Sequence, residues 1–416
     1  MSKDMKIIPE LRFPEFKNSS EWVGDTLINI AKFRRGSFPQ PYGLPEWYDD
    51  VNGMPFIQVY DVGNNFRLKP KTKSKISKLA AEQSVFIPKG TIIITIQGSI
   101  GRVAITQYDA YIDRTLLLFE EFYNEIDKTF FAYVLFMLFE IEKLKAPGGI
   151  IKTITKEVLS DFKINIPNLP EQQKIASCLS SLDEVIAAQS QMLNLLKDHK
   201  KGLMQNLFPQ AGEKIPMYRF KEFENDGEWM EKKLGQIGDP LMCKRIFKEQ
   251  TTANPKNGIP FFKIGTFGKQ ADAYISIELY EEFKSKYSFP KVGDILISAS
   301  GTIGRIVVYD GSPAYFQDSN IVWLGNDEKL VLNEFLYHCY SIVIWQTSDG
   351  GIISRLYNSD LKNIGVKFPK NPKEQQKIAS CLSSLDALIT VQVEKIEQLK
   401  LHKKGLMQGL FPKIND

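Results

Sequence analysis

The sequence contains two copies of one unit, and this duplication constrains the fold more than any other feature. The segment EQQKIASCLSSLD occurs at Glu171–Asp183 and again, unchanged, at Glu374–Asp386, an offset of 203 residues (374 − 171). The same offset relates KGLMQNLFP, which begins at Lys201, to KGLMQGLFP, which begins at Lys404 (404 − 201). Solenoid repeats are about 20–50 residues long, so a repeat of this length indicates duplicated domains.

Weaker matches connect the regions before these segments. They pair RFPEF at Arg12 with RFKEF at Arg219, MPFIQV at Met54 with IPFFKI at Ile259, GSIGR at Gly98 with GTIGR at Gly301, and PGGII at Pro147 with DGGII at Asp349. Each copy therefore consists of a variable globular segment followed by a nearly invariant one. We place the variable domains at residues 1–169 and 211–371, and the conserved segments at 170–210 and 372–416.

The conserved segments have the apolar spacing of a coiled coil. Apolar residues alternate at intervals of three and four, and the pattern is interrupted by Gln189 and Lys200 in the first copy and by Gln392 and Lys403 in the second. A stripe of this length, over roughly 35 residues or about 50 Å of helix, is too long for the surface of one domain. We therefore expect two long helices that pack against each other in a coiled coil, which must be antiparallel if both domains are to face the same DNA duplex from opposite helix ends. The predicted seam consists of Ile175, Leu179, Leu182, Ile186, Leu193, Leu196, Ile378, Leu382, Leu385, Ile389, Ile396 and Leu399.

The variable segments have the pattern of mixed α/β domains. TIIITIQ at Thr91–Gln97 and ILISAS at Ile295–Ser300 are β-rich runs that end at a glycine turn. An aromatic-rich helix is predicted in each copy, at Phe130–Leu144 and at Glu334–Trp345. The fold class is thus α+β: two similar mixed α/β domains in tandem, separated and joined by two long helices. The glycine turns would present Arg102 and Arg305, either to DNA or to a carboxylate.

The motifs of several enzyme classes are missing from the sequence. No GxxxxGK[ST] phosphate loop is present, and neither is an NPPY-like motif of amino-methyltransferases. The four cysteines form no CxxC pair and have no clustered histidines nearby, which argues against a zinc site or disulfide framework and fits a reducing cytoplasm. The longest apolar run, FFAYVLFMLF, is half the length of a membrane span of about twenty residues. We expect a cytoplasmic protein with no catalytic centre, metal or cofactor of its own.

The charge is mild overall but locally concentrated. A net charge of +4, from 53 basic and 49 acidic residues, permits a nucleic-acid partner without requiring one. The run RLKPKTKSKISK from Arg67 to Lys78 contains six basic residues and no acid. Such a run is either a solvated loop or a phosphate contact.

The repeated segments LPEQQKIASCLSSLDEVI and NPKEQQKIASCLSSLDALI, with their KGLMQ–LFP endings, closely resemble the conserved regions of type I restriction–modification DNA-specificity subunits. The RRGSFPQP stretch at Arg34–Pro41 and the GxIGR turns also resemble the target-recognition domains of that family. The resemblance implies that each variable domain binds one half of a gapped, bipartite, asymmetric site in double-stranded DNA. It further implies that the paired helices separate the domains and dock two modification (methyltransferase) subunits, which two restriction (motor-nuclease) subunits join. S-adenosylmethionine, ATP and Mg²⁺ would be bound by those partners.

Direct readout of bases favours Arg, Lys, Gln, Ser and Thr on loops that enter the major groove. In the first domain the candidate DNA-binding residues are Arg34, Arg35, Ser37, Gln40, Gln58, Tyr60, Lys69, Lys71, Gln97, Ser99 and Arg102. In the second domain they are Lys244, Arg245, Lys248, Lys263, Thr266, Ser300, Thr302 and Arg305.

Three other interpretations remain open from the sequence. A fused methyltransferase or nuclease would bind S-adenosylmethionine or cleave DNA by itself, and a protein-binding scaffold would be indifferent to DNA sequence. The third is the specificity subunit of a related system in which one partner chain contains both the methyltransferase and the nuclease.

Overall fold

The computed structural model describes residues 7–63, 65–145, 154, 156–256, 258–345 and 355–412, so that the PGGII and DGGII segments lie outside the described residues. The chain forms two compact units. Unit 1 comprises Met1–Gln191 and Glu394–Asp416, and unit 2 comprises Met192–Val393. Each unit contains one variable domain, the first part of the conserved helix that follows it and the last part of the other conserved helix.

Domain 1, the variable domain of unit 1, alternates short strands and helices. Its elements in chain order are β1 (Val23–Thr26), α1 (Leu27–Ile30), β2 (Ala31–Arg35), β3 (Met54–Ile57), β4 (Ser74–Ile76), α2 (Lys78–Ala81), β5 (Val85–Ile87), β6 (Ile92–Thr95), β7 (Val103–Ile105), β8 (Ala110–Ile112), β9 (Leu116–Phe122), α3 (Lys128–Lys145), α4 (Lys156–Ser160) and β10 (Lys163–Ile166). The strand predicted at Thr91–Gln97 corresponds to β6, and the predicted aromatic helix corresponds to α3. The basic run from Arg67 is a loop only in part, because β4 and the start of α2 lie within it.

These strands form two four-stranded sheets and a ribbon. The first sheet is antiparallel with the order β2-β9-β6-β7, and the second has the order β4-β3-β8-β5 with β3 parallel to β8. Strands β1 and β10 form the antiparallel ribbon that connects the beginning of the domain to its end. The short β-branched runs of the sequence thus form the strands of these sheets.

The two conserved segments are long helices, α5 (Leu169–Leu207) and α9 (Pro372–Leu410), of 39 residues each. They exceed the predicted length by about four residues and correspond to about 58 Å at 1.5 Å per residue. Within unit 1 the Nζ of Lys403 on α9 lies 2.6 Å from Oδ2 of Asp183 on α5. Within unit 2 the Nζ of Lys200 lies 2.6 Å from Oδ1 of Asp386. The lysines that interrupt the apolar pattern are therefore paired with aspartates of the other helix.

Domain 2, in unit 2, has a topology closely similar to that of domain 1. Its elements are β11 (Met230–Lys233), β12 (Gly238–Leu241), β13 (Gly258–Phe262), β14 (Tyr274–Ser276), α6 (Ile277–Lys286), β15 (Ile295–Ser298), β16 (Ile306–Val308), β17 (Tyr315–Phe316), β18 (Ile321–Asn326), α7 (Asn333–Ile342), α8 (Asn358–Asn363) and β19 (Gly365–Phe368). The sheets have the orders β12-β18-β15-β16 and β14-β13-β17, with β13 parallel to β17, and β11 pairs with β19. The duplication of the sequence is therefore largely a duplication of the sheet topology, although the described residues that match β5 form no strand and the second sheet of domain 2 has three strands instead of four.

Helix α7 ends three residues earlier than the sequence predicts. The backbone is extended at Val343, with φ −66° and ψ 135°, so the helix stops at Ile342. Beyond this point Trp345 packs so close to Gly304 that an added Cβ on the glycine would lie 2.3 Å from the indole Cδ1. The tertiary contact between the indole and the glycine turn accounts for the early end of α7.

The helix ends complete the cores of both units. In unit 1 the ring of Phe411, just beyond α9, stacks on Phe130 at 5.5 Å and meets Trp22 edge-on. In unit 2 the ring of Phe208, just beyond α5, stacks on Phe335 at 5.3 Å. The LFP endings of the repeat are thus core residues. Burying aromatic rings of this size contributes strongly to the stability of each unit.

A buried ion pair joins the beginning of each domain to the conserved helix that follows it. Arg12 donates from Nε and Nη2 to the two carboxylate oxygens of Glu171, at 2.8 and 2.7 Å. Arg219 makes the same two bonds to Glu374, also at 2.8 and 2.7 Å. A bidentate arginine–carboxylate pair has two charge-assisted hydrogen bonds in fixed geometry. The arginine of the repeated RFPEF or RFKEF motif and the glutamate of the repeated EQQ motif therefore form one structural contact in each unit, which we call the clamp.

Candidate DNA interface

A buried carboxylate organises the loop between β3 and β4, which contains four of the candidate residues of domain 1. Asp61 accepts hydrogen bonds from the backbone N–H groups of Gln58 and Lys73, both at 2.9 Å. Its carbonyl accepts the N–H of Lys69, also at 2.9 Å. Burial raises the pKa of Asp61, and the bonds from these N–H groups partly offset that effect. The loop is thus fixed at three points and presents the exposed side chains of Tyr60, Lys69 and Lys71.

Tyr60 lies between polar and cationic groups of the same loop. Its hydroxyl donates to Oε1 of Gln58 and lies 3.4 Å from Oγ of Ser74. The Nζ of Lys73 lies 4.9 Å from the centre of the Tyr60 ring, a cation–π distance. Gln58 and Tyr60 therefore form one local group, together with Lys73 of the basic run that begins at Arg67.

The glycine turn between β6 and β7 packs against this loop. Gly98 has φ +69°, and an added Cβ would lie 3.5 Å from Val59. The Nη1 of Arg102 donates to the carbonyl of Val62 at 3.4 Å. The candidates Gln97 and Ser99 are exposed at the tip of the turn. The structure thus brings the turn and the β3–β4 loop together.

Arg102 and its counterpart Arg305 both donate to a backbone carbonyl. The Nη1 of Arg305 donates to the carbonyl of Phe267 at 2.8 Å, in the loop between β13 and β14. Each arginine therefore connects the glycine turn of its domain to the neighbouring loop. This contact gives the arginine of the GxIGR motif a positioning role in both domains.

The candidates at the end of β2 and in the segment that follows it are divided between protein contacts and solvent. Arg34, Arg35 and Gln40 are all exposed, and Arg34 also pairs with Glu120 of β9. The hydroxyl of Ser37 donates to the carbonyl of Gln83 at 3.0 Å. The glycine of the RRGS motif is required by close backbone packing, because an added Cβ would lie 2.4 Å from the carbonyl oxygen of Ile112.

Domain 2 uses different groups at the corresponding loop. The hydroxyl of Thr266 accepts the N–H of Lys263 at 3.2 Å, much as Asp61 accepts that of Gln58. The Nζ of Lys263 lies 2.9 Å from Asp272. Thr266 thus makes an intramolecular bond that holds its own loop.

The candidates of the second glycine turn differ in their surroundings. The hydroxyl of Ser300 donates to Oδ1 of Asn320 at 2.9 Å, whereas Thr302 is exposed. The fold therefore occupies Ser300 within the protein and leaves Thr302 accessible to a ligand.

The cationic candidates that follow β12 are exposed. The Nε of Arg245 lies 2.9 Å from Oδ2 of Asp318, and its side chain keeps 60% of its exposure. The Nζ of Lys244 lies 5.0 Å from the centre of the Tyr287 ring. Lys248 is exposed in a single turn of 3-10 helix. Exposed cations of this kind are suited to contact phosphates or base edges.

Three residues beside these candidates were not predicted from the sequence. The hydroxyl of Tyr42 donates to Oδ2 of Asp113 at 2.5 Å, and the guanidinium of Arg114 lies 4.9 Å from the centre of the Tyr42 ring. The N–H of Asp113 donates to the carbonyl of Ile57, the residue before Gln58. Arg114 is a single cation in a short polar segment between two apolar runs, so no local pattern distinguishes it.

The predicted seam residues are buried or half-buried within their units. Ile175, Leu179, Ile378, Leu382 and Ile396 are buried, and the other seven are intermediate. Among the described residues, no group of three or more His, Cys, Asp or Glu side chains is placed to hold a metal ion. No helix in the described part of the chain is long and apolar enough to cross a membrane.

Comparison with known proteins identifies the architecture. The family model of the type I restriction–modification DNA specificity domain matches twice, at residues 21–198 and 226–401. A type I restriction enzyme specificity subunit of Haemophilus influenzae is 46% identical over 235 residues, which are 56% of this chain and 58% of that protein. This chain thus spans less than two thirds of the length of that relative. The MjaVIII specificity subunit of Methanocaldococcus jannaschii is 25% identical over 363 residues, which are 83% of each chain.

Solved structures have the same fold. The S subunit of a type I restriction–modification system from M. genitalium superposes with a TM-score of 0.61 at 17% identity, covering 98% of this chain and 100% of that one. A structure that concerns complex assembly and conformational transition of the type I system has a TM-score of 0.54 at 16% identity, covering 94% and 97%. With two matches of the family model over most of its length, this chain belongs to the family of type I restriction–modification DNA-specificity subunits.

Proposed function

We propose that this chain directs a type I restriction–modification enzyme to its target, with each domain recognising one half of a gapped, asymmetric DNA site. The observation that carries the proposal is that two domains of closely similar sheet topology have different residues in their loops. Where domain 1 has Tyr60 and Asp61, the matching positions of domain 2 are Gly265 and Thr266. Two domains with one scaffold and different loop residues are suited to two different base sequences.

The chemistry of the loops supports DNA as the ligand. Exposed lysines and arginines bind phosphates and make affinity dependent on salt, whereas arginine, glutamine and serine side chains read base edges. Both kinds of group lie on the loops near the β3–β8 and β13–β17 strand pairs. The family is non-catalytic, so this chain supplies recognition, while methyl transfer and cleavage belong to other subunits.

The long helices are suited to the roles of spacer and docking surface. Large apolar side chains remain exposed on them, with 58% of Leu195 and 61% of Val391 accessible. Exposed apolar groups on long helices are suited to a protein partner. We infer that these faces bind two modification subunits, that two restriction subunits complete the complex, and that S-adenosylmethionine, ATP and Mg²⁺ are bound by these partners in the cytoplasm. The alternative is one partner chain that contains both the methyltransferase and the nuclease.

Mapping of methylated bases across the genome tests this function whatever the target sequence is. Cells that express the chain together with its methyltransferase partner would be compared with cells that lack only this chain. The expected result is a gapped, two-part methylated motif that is lost with the chain. Methylation that persists in its absence would contradict the proposal.

A further inference from the structure

Arg114 is the terminal member of an ordered group at the β8–β9 loop. Its exposed guanidinium lies 4.9 Å from the centre of the Tyr42 ring. That ring stacks on buried Phe38 at 5.0 Å, and its hydroxyl donates to Asp113 at 2.5 Å. The side chain of Asp113 is itself buried and accepts the N–H of Thr115 at 2.9 Å. The aromatic ring is thus fixed by these two contacts, and the arginine lies beside it at a cation–π distance.

This arrangement reduces the cost of ordering an arginine side chain. A cation over an aromatic face is stabilised by the ring quadrupole. A side chain already held in one orientation loses less conformational entropy when it binds a ligand. The exposed end of Arg114 is therefore prepared for a contact that requires defined geometry, rather than being a freely moving surface cation.

The location of Arg114 agrees with such a role. The end of β8, directly before this loop, is joined to Ser37, whose N–H donates to the carbonyl of Ile112 at 3.1 Å. The loop itself is joined to β3, since the N–H of Asp113 donates to the carbonyl of Ile57 at 3.0 Å. Arg114 consequently lies where two of the candidate DNA-binding loops of domain 1 meet.

Domain 2 differs at the same place. The loop between β17 and β18 contains Gln317, Asp318, Ser319 and Asn320, one residue more than the three between β8 and β9. Asp318 pairs with Arg245 from another loop, and the β17–β18 loop contains no arginine of its own. A loop that differs in length and charge between two domains of closely similar topology is suited to determine what each domain recognises.

We propose that Arg114 is a specificity-determining residue of domain 1 that recognises one guanine, and that Tyr42 positions its guanidinium. Arginine bonds both O6 and N7 of guanine in the major groove, a two-point contact that no other base offers. This inference rests on the proposed function, because it assigns one base of the half-site that domain 1 reads.

The test uses the full chain with its methyltransferase partner and maps methylated motifs for four variants. Arg114→Ala and Arg114→Lys are expected to make one guanine of one half-site degenerate, with discrimination there falling by about 10- to 100-fold. Tyr42→Phe, which retains the ring but loses the bond to Asp113, is expected to cause a smaller loss at the same base pair. The control is Lys163→Ala, which removes an exposed cation from the β1–β10 ribbon of the same domain and should leave the motif unchanged.

Two outcomes for the variants would overturn the inference while leaving the proposed function intact. One is a wild-type motif in cells with Arg114→Ala. The other is a uniform decrease of methylation at all sites, which would identify Arg114 as a phosphate contact. If the wild-type chain itself directed no motif, the proposed function would fail instead.

Discussion

The buried ion pair between Arg219 and Glu374 can be used to test what holds domain 2 to helix α9. The Glu374 side chain is fully buried and that of Arg219 retains 7% of its exposure. Arg219→Ala removes the cation that donates two hydrogen bonds to this carboxylate and leaves the negative charge in the interior. Breaking a buried ion pair in this way costs about 3–5 kcal/mol. A domain with a total stability of about 5–15 kcal/mol would lose a large fraction of it.

A matched ion pair in the same unit provides the control. Lys214 and Glu228 lie 3.1 Å apart, but their side chains are 58% and 60% exposed. Exposed pairs contribute about 0–1 kcal/mol, so Lys214→Ala should have little effect on stability. The double variant Arg219→Met/Glu374→Met should be less destabilised than Arg219→Ala, because it leaves no unpaired buried charge.

Hydrogen exchange followed by mass spectrometry separates the two units in this experiment. Peptides from β11, β19 and the start of α9 should lose protection in Arg219→Ala, whereas peptides of β1 and β10 in unit 1 should retain it. Two results would refute the reasoning that unpaired Glu374 destabilises the domain. One is that Arg219→Ala and Lys214→Ala have equal effects on stability. The other is that Arg219→Ala is at least as stable as the double variant.

Acidification should destabilise the protein through His338, because burial, with a smaller contribution from Lys200, lowers the pKa of this imidazole to about 4. Between about pH 6.5 and 4 the unfolded chain then binds more protons than the folded one, so lowering the pH through this window should destabilise the protein. In denaturation measured as a function of pH, the wild type should lose up to about 3 kcal/mol more of its unfolding free energy than His338→Gln. Curves of stability against pH that run parallel for the two proteins would contradict this. Gly304 and Gly293 both have positive φ, but only the former contacts Trp345. Gly304→Ala should therefore be about 1–3 kcal/mol more destabilising than Gly293→Ala in thermal unfolding, and equal losses would contradict the packing argument.

The elements with a periodic pattern could be predicted from the sequence. The β-rich run before Gly98 is a strand, and the three-and-four spacing after Pro170 is a helix, because local periodicity decides both. The end of α7 was predicted wrongly since a distant contact with Gly304 overrides the helical pattern of the local sequence. Local pattern also could not indicate that Arg12 pairs with Glu171, 159 residues away.

The candidate site was harder to predict for a similar reason. Arginine and serine have the same chemistry whether they contact DNA or the protein itself, and only the fold distinguishes the two cases. The fold directs Arg305 to the carbonyl of Phe267 and leaves Arg35 exposed. The internal repeat was informative about scaffold residues, since these recur in both copies. It is uninformative about a residue such as Arg114, which has no counterpart in the second copy.

The independence of the two half-sites tests the central claim most directly. Methylated motifs would be mapped in cells that carry Arg34→Ala/Arg35→Ala, in domain 1, and in cells that carry Lys244→Ala/Arg245→Ala, in domain 2. We predict that each double variant relaxes bases in only one half of the motif, a different half for each variant, and leaves the gap unchanged. An unchanged wild-type motif in both double variants, or one double variant that alters both halves, would contradict the account.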